Sequence, residues 1–266
     1  MKICALILLT IVASSKADPS YCYSTDTIKP QRTMFSTKTA YEVIRGRSIN
    51  PNVSSCVPTK LWMLQRHGTR LPNGNQISKF LNIPPLCRFE QAFDLSKAAP
   101  WCSVFSVDDI AVLEYGEDLG YFYEAGYGYA MNENILCEAV QNMLKYLQSN
   151  DPSEQPARIL ITHSTSMQIL MVALGLNKDA TPLTSKNFAQ QTYRKWRTSQ
   201  QTAYASNLAV IRYDCPNGDN EALFLYNEKP LEIPGCQSNG LCKVSYILEK
   251  YTRFLTANCP NTFCTA

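Results

Sequence analysis

The order in which apolar runs and apolar stripes follow one another constrains this chain most. Lys60 to Gln65 is a short apolar run after Pro58, closed by Arg66 and followed by the turn-forming Pro72-Asn73-Gly74-Asn75, and it reads as a buried strand. Ser106-Val107-Asp108-Asp109 has capping-box spacing, and Ala111, Tyr115, Leu119 and Phe122 then recur at helical intervals, so a helix is predicted over about 107 to 124. A second helix is marked by Leu136, Val140, Met143, Leu144 and Leu147, ending before Asn150-Asp151-Pro152. Arg158 to Thr162 reads as another buried strand, and Met167 to Leu176 is apolar on all sides, as a buried helix is. Leu208 to Tyr213 and Ala222 to Tyr226 flank the turn-rich Pro216 to Asn220, which predicts an antiparallel hairpin at the sheet edge. Val244, Ile247, Tyr251 and Phe254 mark a closing amphipathic helix. Strand, helix, strand, helix in that order argues for an α/β sheet.

Residues 1–17 read as a cleaved secretory signal: Lys2, an apolar run from Ile3 to Ala13, then Ser15-Lys16-Ala17. That run is too short to span a membrane, so no stable membrane insertion is expected, and residues 18–266 are read as a single α/β domain. Eleven cysteines less Cys4 leave ten in the mature chain, an even number without a C-x-x-C pair, and the reading is disulfides rather than metal. On loop length alone, Cys236 with Cys242 and Cys259 with Cys264 are the easiest pairs to close. Asn52-Val53-Ser54 is a glycosylation sequon. The chain is read as secreted.

Charge narrows the partners. With the leader gone, Lys2 and Lys16 go too, leaving 23 basic against 22 acidic side chains and no global nucleic-acid footprint. Tyr193-Arg194-Lys195-Trp196-Arg197 interleaves aromatics and cations but reads as a solvated face.

The chain has two histidines, and each directly follows a predicted strand: His67 in Arg66-His67-Gly68-Thr69-Arg70, and His163 in Ile161-Thr162-His163-Ser164-Thr165. Carboxyl ends of strands are where open α/β sheets bind ligands. Two guanidiniums beside an imidazole and a glycine form a compact phosphate loop: arginine presents a planar fork to phosphate oxygens, and Gly68 admits close backbone approach. In such a loop His67 is the candidate nucleophile. Thr165 reads as the N-cap of the following helix.

These residues resemble the histidine acid phosphatases, specifically the multiple inositol polyphosphate phosphatase branch. Gln65 to Pro72 is similar to that family's Arg-His-Gly-x-Arg-x-Pro signature, and the likeness continues through Cys87 to Glu90, Pro100 to Ser106, Val112 to Tyr115, Gly126 to Gly128, Tyr204 to Leu208 and Asn227 to Leu231. The resemblance implies a histidine-phosphatase-like mixed sheet flanked by helices. It implies His67 as the phosphate-accepting histidine, Arg66 and Arg70 as phosphate ligands, and His163 as the second active-site histidine. It implies small phosphate esters as substrates, inositol polyphosphates or similar compounds such as 2,3-bisphosphoglycerate, with no cofactor and no metal. Two features depart from the family pattern. Thr165 stands where the branch places its proton-donor carboxylic acid, and only 14 residues, 73–86, occupy the place of a large helical insertion domain, which is therefore largely missing. A relative that binds phosphorylated ligands without turning them over is the alternative reading.

Overall fold

A computed structural model describes residues 26, 28–49, 53, 55–69, 83–96 and 99–261. Its strands are β1 (Val57–Arg66), β2 (Ala157–Thr162), β3 (Asn207–Asp214), β4 (Glu221–Tyr226), β5 (Lys229–Pro230) and β6 (Leu241–Lys243). They form one mixed sheet in the order β2-β1-β3-β4-β5, with β6 also on β4. β1 runs parallel to β2 and antiparallel to β3, so both its edges are paired. The helices are α1 (Ile83–Phe93), α2 (Val107–Glu124), α3 (Cys137–Gln148), α4 (Ser164–Ala173), α5 (Thr198–Gln201), α6 (Val244–Lys250) and α7 (Thr252–Leu255). The expected closing helix is thus two short ones that meet at Tyr251.

Alternation along β1 puts Trp62 and Leu64 on one face and Leu61 and Met63 on the other. The first face carries the main core, where Trp62, Leu64, Leu208, Val210 and Phe224 meet Val140, Met143, Leu144 and Leu147 of α3 and Met167, Leu170 and Met171 of α4. Every residue of α4 from Met167 to Ala173 is buried, as a helix apolar on all sides predicts, and the polar Gln168 among them is hydrogen-bonded to Thr202.

Two strand expectations need correction. The β3–β4 hairpin is not at the sheet edge: β3 lies between β1 and β4, and its consecutive apolar Leu208 to Ile211 suits a strand covered on both faces. β2 is an edge strand, with β5 at the other end of the path, and it is not buried on both sides. Ile159 and Ile161 stand 55% and 68% exposed, because burial there alternates along the strand.

Among the described residues four disulfides are formed: Cys56–Cys215, Cys87–Cys102, Cys137–Cys259 and Cys236–Cys242. The last was expected. The expected pair of Cys259 with Cys264 is overturned, since Cys259 joins Cys137 across 122 residues of sequence. The chain end packs on α3, where Gln141 Nε2 donates to the carbonyls of Phe254 and Ala257, and this proximity outweighs loop length. Cys22, Cys264, Arg70, Asn52 and the leader lie outside the described residues.

The capping box of α2 forms as predicted, with Asp109 N–H donating to Ser106 Oγ at 3.1 Å and Ser106 N–H to Asp109 Oδ2 at 3.0 Å. The buried stripe of this helix, however, includes Glu114 and Asp118 alongside Ile110, Tyr115 and Phe122. Their partners come from the basic stretch, which is therefore not a solvated face. Arg194 is buried between Glu114 and Asp118, Arg197 donates to Glu114, Trp196 is buried, and Tyr193 alone of the five is almost fully exposed, at 97%. Burying these acids is tolerable because each oxygen is matched: Asp118 accepts from Arg194 Nε and Nη2 at 2.8 and 2.6 Å, and from Thr198 N–H and Oγ1 at 2.9 and 2.7 Å.

Burial, and after it the charge of Glu114, pushes the Asp118 carboxyl up from 3.8 to about 6, while Arg194 pulls the other way. The folded chain then holds this proton more tightly than the unfolded chain. The group's contribution is fully present below pH 3.8 and is lost as pH rises through about 6, by up to about 3 kcal/mol. Urea unfolding at pH 4 to 7 is expected to show the stability of the wild type falling relative to Asp118→Asn as pH rises. A wild type that gains stability relative to Asp118→Asn as pH rises would instead mean that attraction to Arg194 outweighs the cost of burying the ionised carboxylate. In a second series, replacing Cys137 and Cys259 together by serine is expected to cost about 5 kcal/mol, against about 2 kcal/mol for Cys236 and Cys242, following the closed loops of 122 and 6 residues. Equal losses in denaturant titrations would contradict the loop-entropy account.

Candidate active site

The site is built where β1 and β2 end together. Their parallel register pairs Arg66 with Thr162, so the next residues, His67 and His163, leave the sheet side by side. His67 N–H donates to the Thr162 carbonyl at 3.1 Å, extending the ladder by one bond. The imidazole centroids are 5.3 Å apart in an edge-on arrangement. His163 occupies the N-cap position of α4, in an extended conformation, and it is exposed. Thr165 is therefore the second residue inside the helix and not its cap, because the strand ends one residue before the histidine and the helix starts one after it.

The His67 ring has a defined orientation. Nδ1 lies 2.8 Å from the carbonyl oxygen of Gly68. A carbonyl only accepts, so in the neutral imidazole Nδ1 carries the hydrogen and Nε2 keeps its lone pair. The positive end of α4 starts at His163 and favours an anion at the same place.

Arg66 faces the helix-covered side, 4% exposed. Its Nη1 donates to two backbone carbonyls, Thr37 O and Thr202 O, the latter at 2.6 Å, and its guanidinium lies over the Tyr204 ring at 4.6 Å. Arg70 falls outside the described residues, so of the four expected residues the structure brings together His67, His163 and Arg66.

A segment with no role in the sequence reading frames this corner. Tyr204 to Asn207 crosses the end of β1: Ala205 N–H donates to His67 O at 3.1 Å, and Arg66 N–H to Ser206 O at 2.8 Å. Ala205 adopts a left-handed φ of 57°, which turns the chain back over His67. Asn207 Nδ2 reaches Ala205 O and the Tyr41 hydroxyl, which in turn donates to Glu228. Burial and the Glu228 carboxylate push the Tyr41 phenol well above its ordinary range, so Tyr41 remains a hydrogen-bonding phenol. The sequence signal for this frame was its place among the family-like segments. Nothing in its polarity or period pointed to His67.

Comparison with known proteins matches residues 78–227 to the histidine phosphatase superfamily (branch 2). The chain is 36% identical over 181 residues to Multiple inositol polyphosphate phosphatase 1 of Drosophila melanogaster, covering 67% of this chain and 38% of that protein. It is 32% identical over 184 residues to the protein of the same name from Gallus gallus, covering 65% of this chain and 40% of that one. The chain thus spans about two fifths of the length of these curated relatives. Among solved structures, the phytase from D. castellii superposes with a TM-score of 0.56 at 19% identity, over 71% of this chain and 42% of that one, a likeness of fold. The parallel strand pair ending in two histidines, the mixed sheet and the match over more than half of the sequence lead to one assignment: the chain belongs to the histidine phosphatase superfamily, branch 2.

Proposed function

We propose that this chain is a secreted phosphomonoesterase of the multiple inositol polyphosphate phosphatase type, working through a phosphohistidine at His67. The observation that carries the reading is the pairing of His67 and His163 at 5.3 Å, with His67 Nδ1 committed to Gly68 O. Nε2 then attacks phosphorus, the bond to the ester oxygen breaks, and the alcohol departs. Water next attacks the phosphohistidine, releasing phosphate and regenerating Nε2. Arg66 and Arg70 take the charge of the phosphoryl oxygens, and His163 lies beside His67. The substrates are inositol polyphosphates, the class named for the relatives, or similar esters such as 2,3-bisphosphoglycerate. The leader at 1–17, the glycan at Asn52 and the domain running from 18 to 266 belong to the same proposal, and four disulfides support an oxidising compartment.

Thr165 sets the limit on this chemistry. An alkoxide leaving group needs a proton from a group that titrates near the working pH, and a threonine hydroxyl does not supply it. An aryl phosphate has a leaving group that departs unprotonated. Phosphate release by the purified, oxidised protein is therefore expected from an aryl phosphate, to be slower on inositol hexakisphosphate by about 10² to 10⁴, and to vanish in His67→Ala. Thr165→Glu is expected to raise the rate on inositol hexakisphosphate selectively. Turnover that survives His67→Ala would overturn the mechanism.

Thr165 also favours a second reading, a protein that binds phosphorylated ligands without hydrolysing them. No release from either substrate, together with inositol hexakisphosphate binding that phosphate reverses and Arg66→Ala weakens, would select it.

A further inference from the structure

The buried carboxylate of Asp118 is connected to Arg66 by hydrogen bonds that alternate with short stretches of backbone. Asp118 Oδ1 accepts both the backbone N–H and the hydroxyl of Thr198, the first residue of α5. Having donated its one hydroxyl hydrogen to the carboxylate, Thr198 can only accept at Oγ1, so Ser36, whose Oγ lies 2.7 Å away, is the donor there. Ser36 holds a left-handed φ of 50°, a conformation a non-glycine residue keeps only when its surroundings fix it. The residue after Ser36 is Thr37, whose carbonyl receives Arg66 Nη1. From the other side, Thr198 O accepts the N–H of Thr202 at 2.8 Å, and the Thr202 carbonyl receives the same Nη1 at 2.6 Å. Gln168 of α4 donates to the Thr202 hydroxyl at 3.0 Å and ties this turn to the helix that starts at His163.

Both carbonyls that seat the guanidinium therefore depend on Thr198, and Thr198 depends on Asp118. We infer that Asp118 is a positioning residue for the phosphate site: acting through Thr198, it sets the orientation of Arg66 beside His67. This rests on the phosphatase reading above. Because a guanidinium is planar and rigid, two acceptors on one terminal nitrogen orient the rest of the fork. The opposite oxygen of Asp118 is occupied by Arg194, which keeps the carboxylate from turning away from Thr198. Glu114 plays no part in this relay. Its partners are Arg194, Arg197 and Ser199, none of which is bonded to a carbonyl that holds Arg66.

The test compares Asp118→Asn, Thr198→Val, Thr198→Ser and, as a control in the same ion cluster, Arg197→Gln. Thr198→Val removes the relay hydroxyl while keeping shape and the backbone bond to Asp118, so it remains informative if Asp118→Asn fails to fold. Two readouts are made on the folded, oxidised proteins: the arginine side-chain ¹⁵N–¹H NMR signals of Arg66, assigned with Arg66→Lys, and KM, kcat and inhibition by inorganic phosphate with an aryl phosphate. Thr198→Val is expected to move the Arg66 signals and to raise both KM and the phosphate inhibition constant about tenfold, with kcat within about threefold, because an arginine that binds phosphate in ground and transition state alike acts mainly on KM. Thr198→Ser is expected to restore wild-type values, and Arg197→Gln to leave Arg66 unmoved. Unchanged Arg66 signals in folded Thr198→Val overturn the inference. An inactive wild type overturns the phosphatase reading instead, and the NMR comparison still decides whether Asp118 orients Arg66.

Discussion

The register of the β1–β2 pair is the interaction on which the site depends. Parallel strands have one polarity, so two chain segments leave the sheet at the same end, and the pairing of Arg66 with Thr162 makes them leave level with each other. A slip of one residue would move Arg66 to the opposite face of the sheet and separate the two imidazoles. The main core enforces the register, since Trp62 and Leu64 must meet α3 and α4 for it to close. Packing and chemistry are therefore the same constraint read from two ends of one strand.

Around that corner the molecule uses buried polar contacts in place of hydrophobic ones. Arg66 is seated by carbonyls and an aromatic ring, Asp118 and Glu114 by arginines and hydroxyls. Such contacts are directional, and a misplaced partner leaves an unmatched charge in a low-dielectric interior. That makes them poor at adding stability and good at fixing an orientation.

Much of this architecture was legible in the sequence for identifiable reasons. Strong period and clear stop signals located α2, α3, α4 and both strands of the hairpin, and the two strand-end histidines singled out by the sequence lie side by side in the structure. What escaped reading depended on distant partners. Glu114 and Asp118 stand outside the apolar stripe that marked α2, and their counter-charges lie some 80 residues away, in a stretch whose own cations looked solvated. Ile159 and Ile161 looked buried because a continuous apolar run does not say which of its faces is covered. Cys259 has a near neighbour in sequence and a different one in space. Thr165 looked like a cap because helix starts read from sequence are uncertain by one or two residues, and the observed cap, His163, lies two positions earlier.

The position of β1 in the sheet has a consequence for how the chain comes to be folded. β1 is an early strand, but its antiparallel partner β3 begins at Asn207 and its parallel partner β2 at Ala157, so the strand that leads into His67 has no ladder until most of the chain exists. Cys56 waits for Cys215, and Cys137 for Cys259, over the same long spans. Assembly is thus a late, concerted event of high contact order, in which closing long loops comes before any reward from pairing. Until those partners exist, the apolar Leu61 to Leu64 segment has no strand to pair with and Cys56 no native thiol to join, so both are open to wrong contacts while the chain is incomplete.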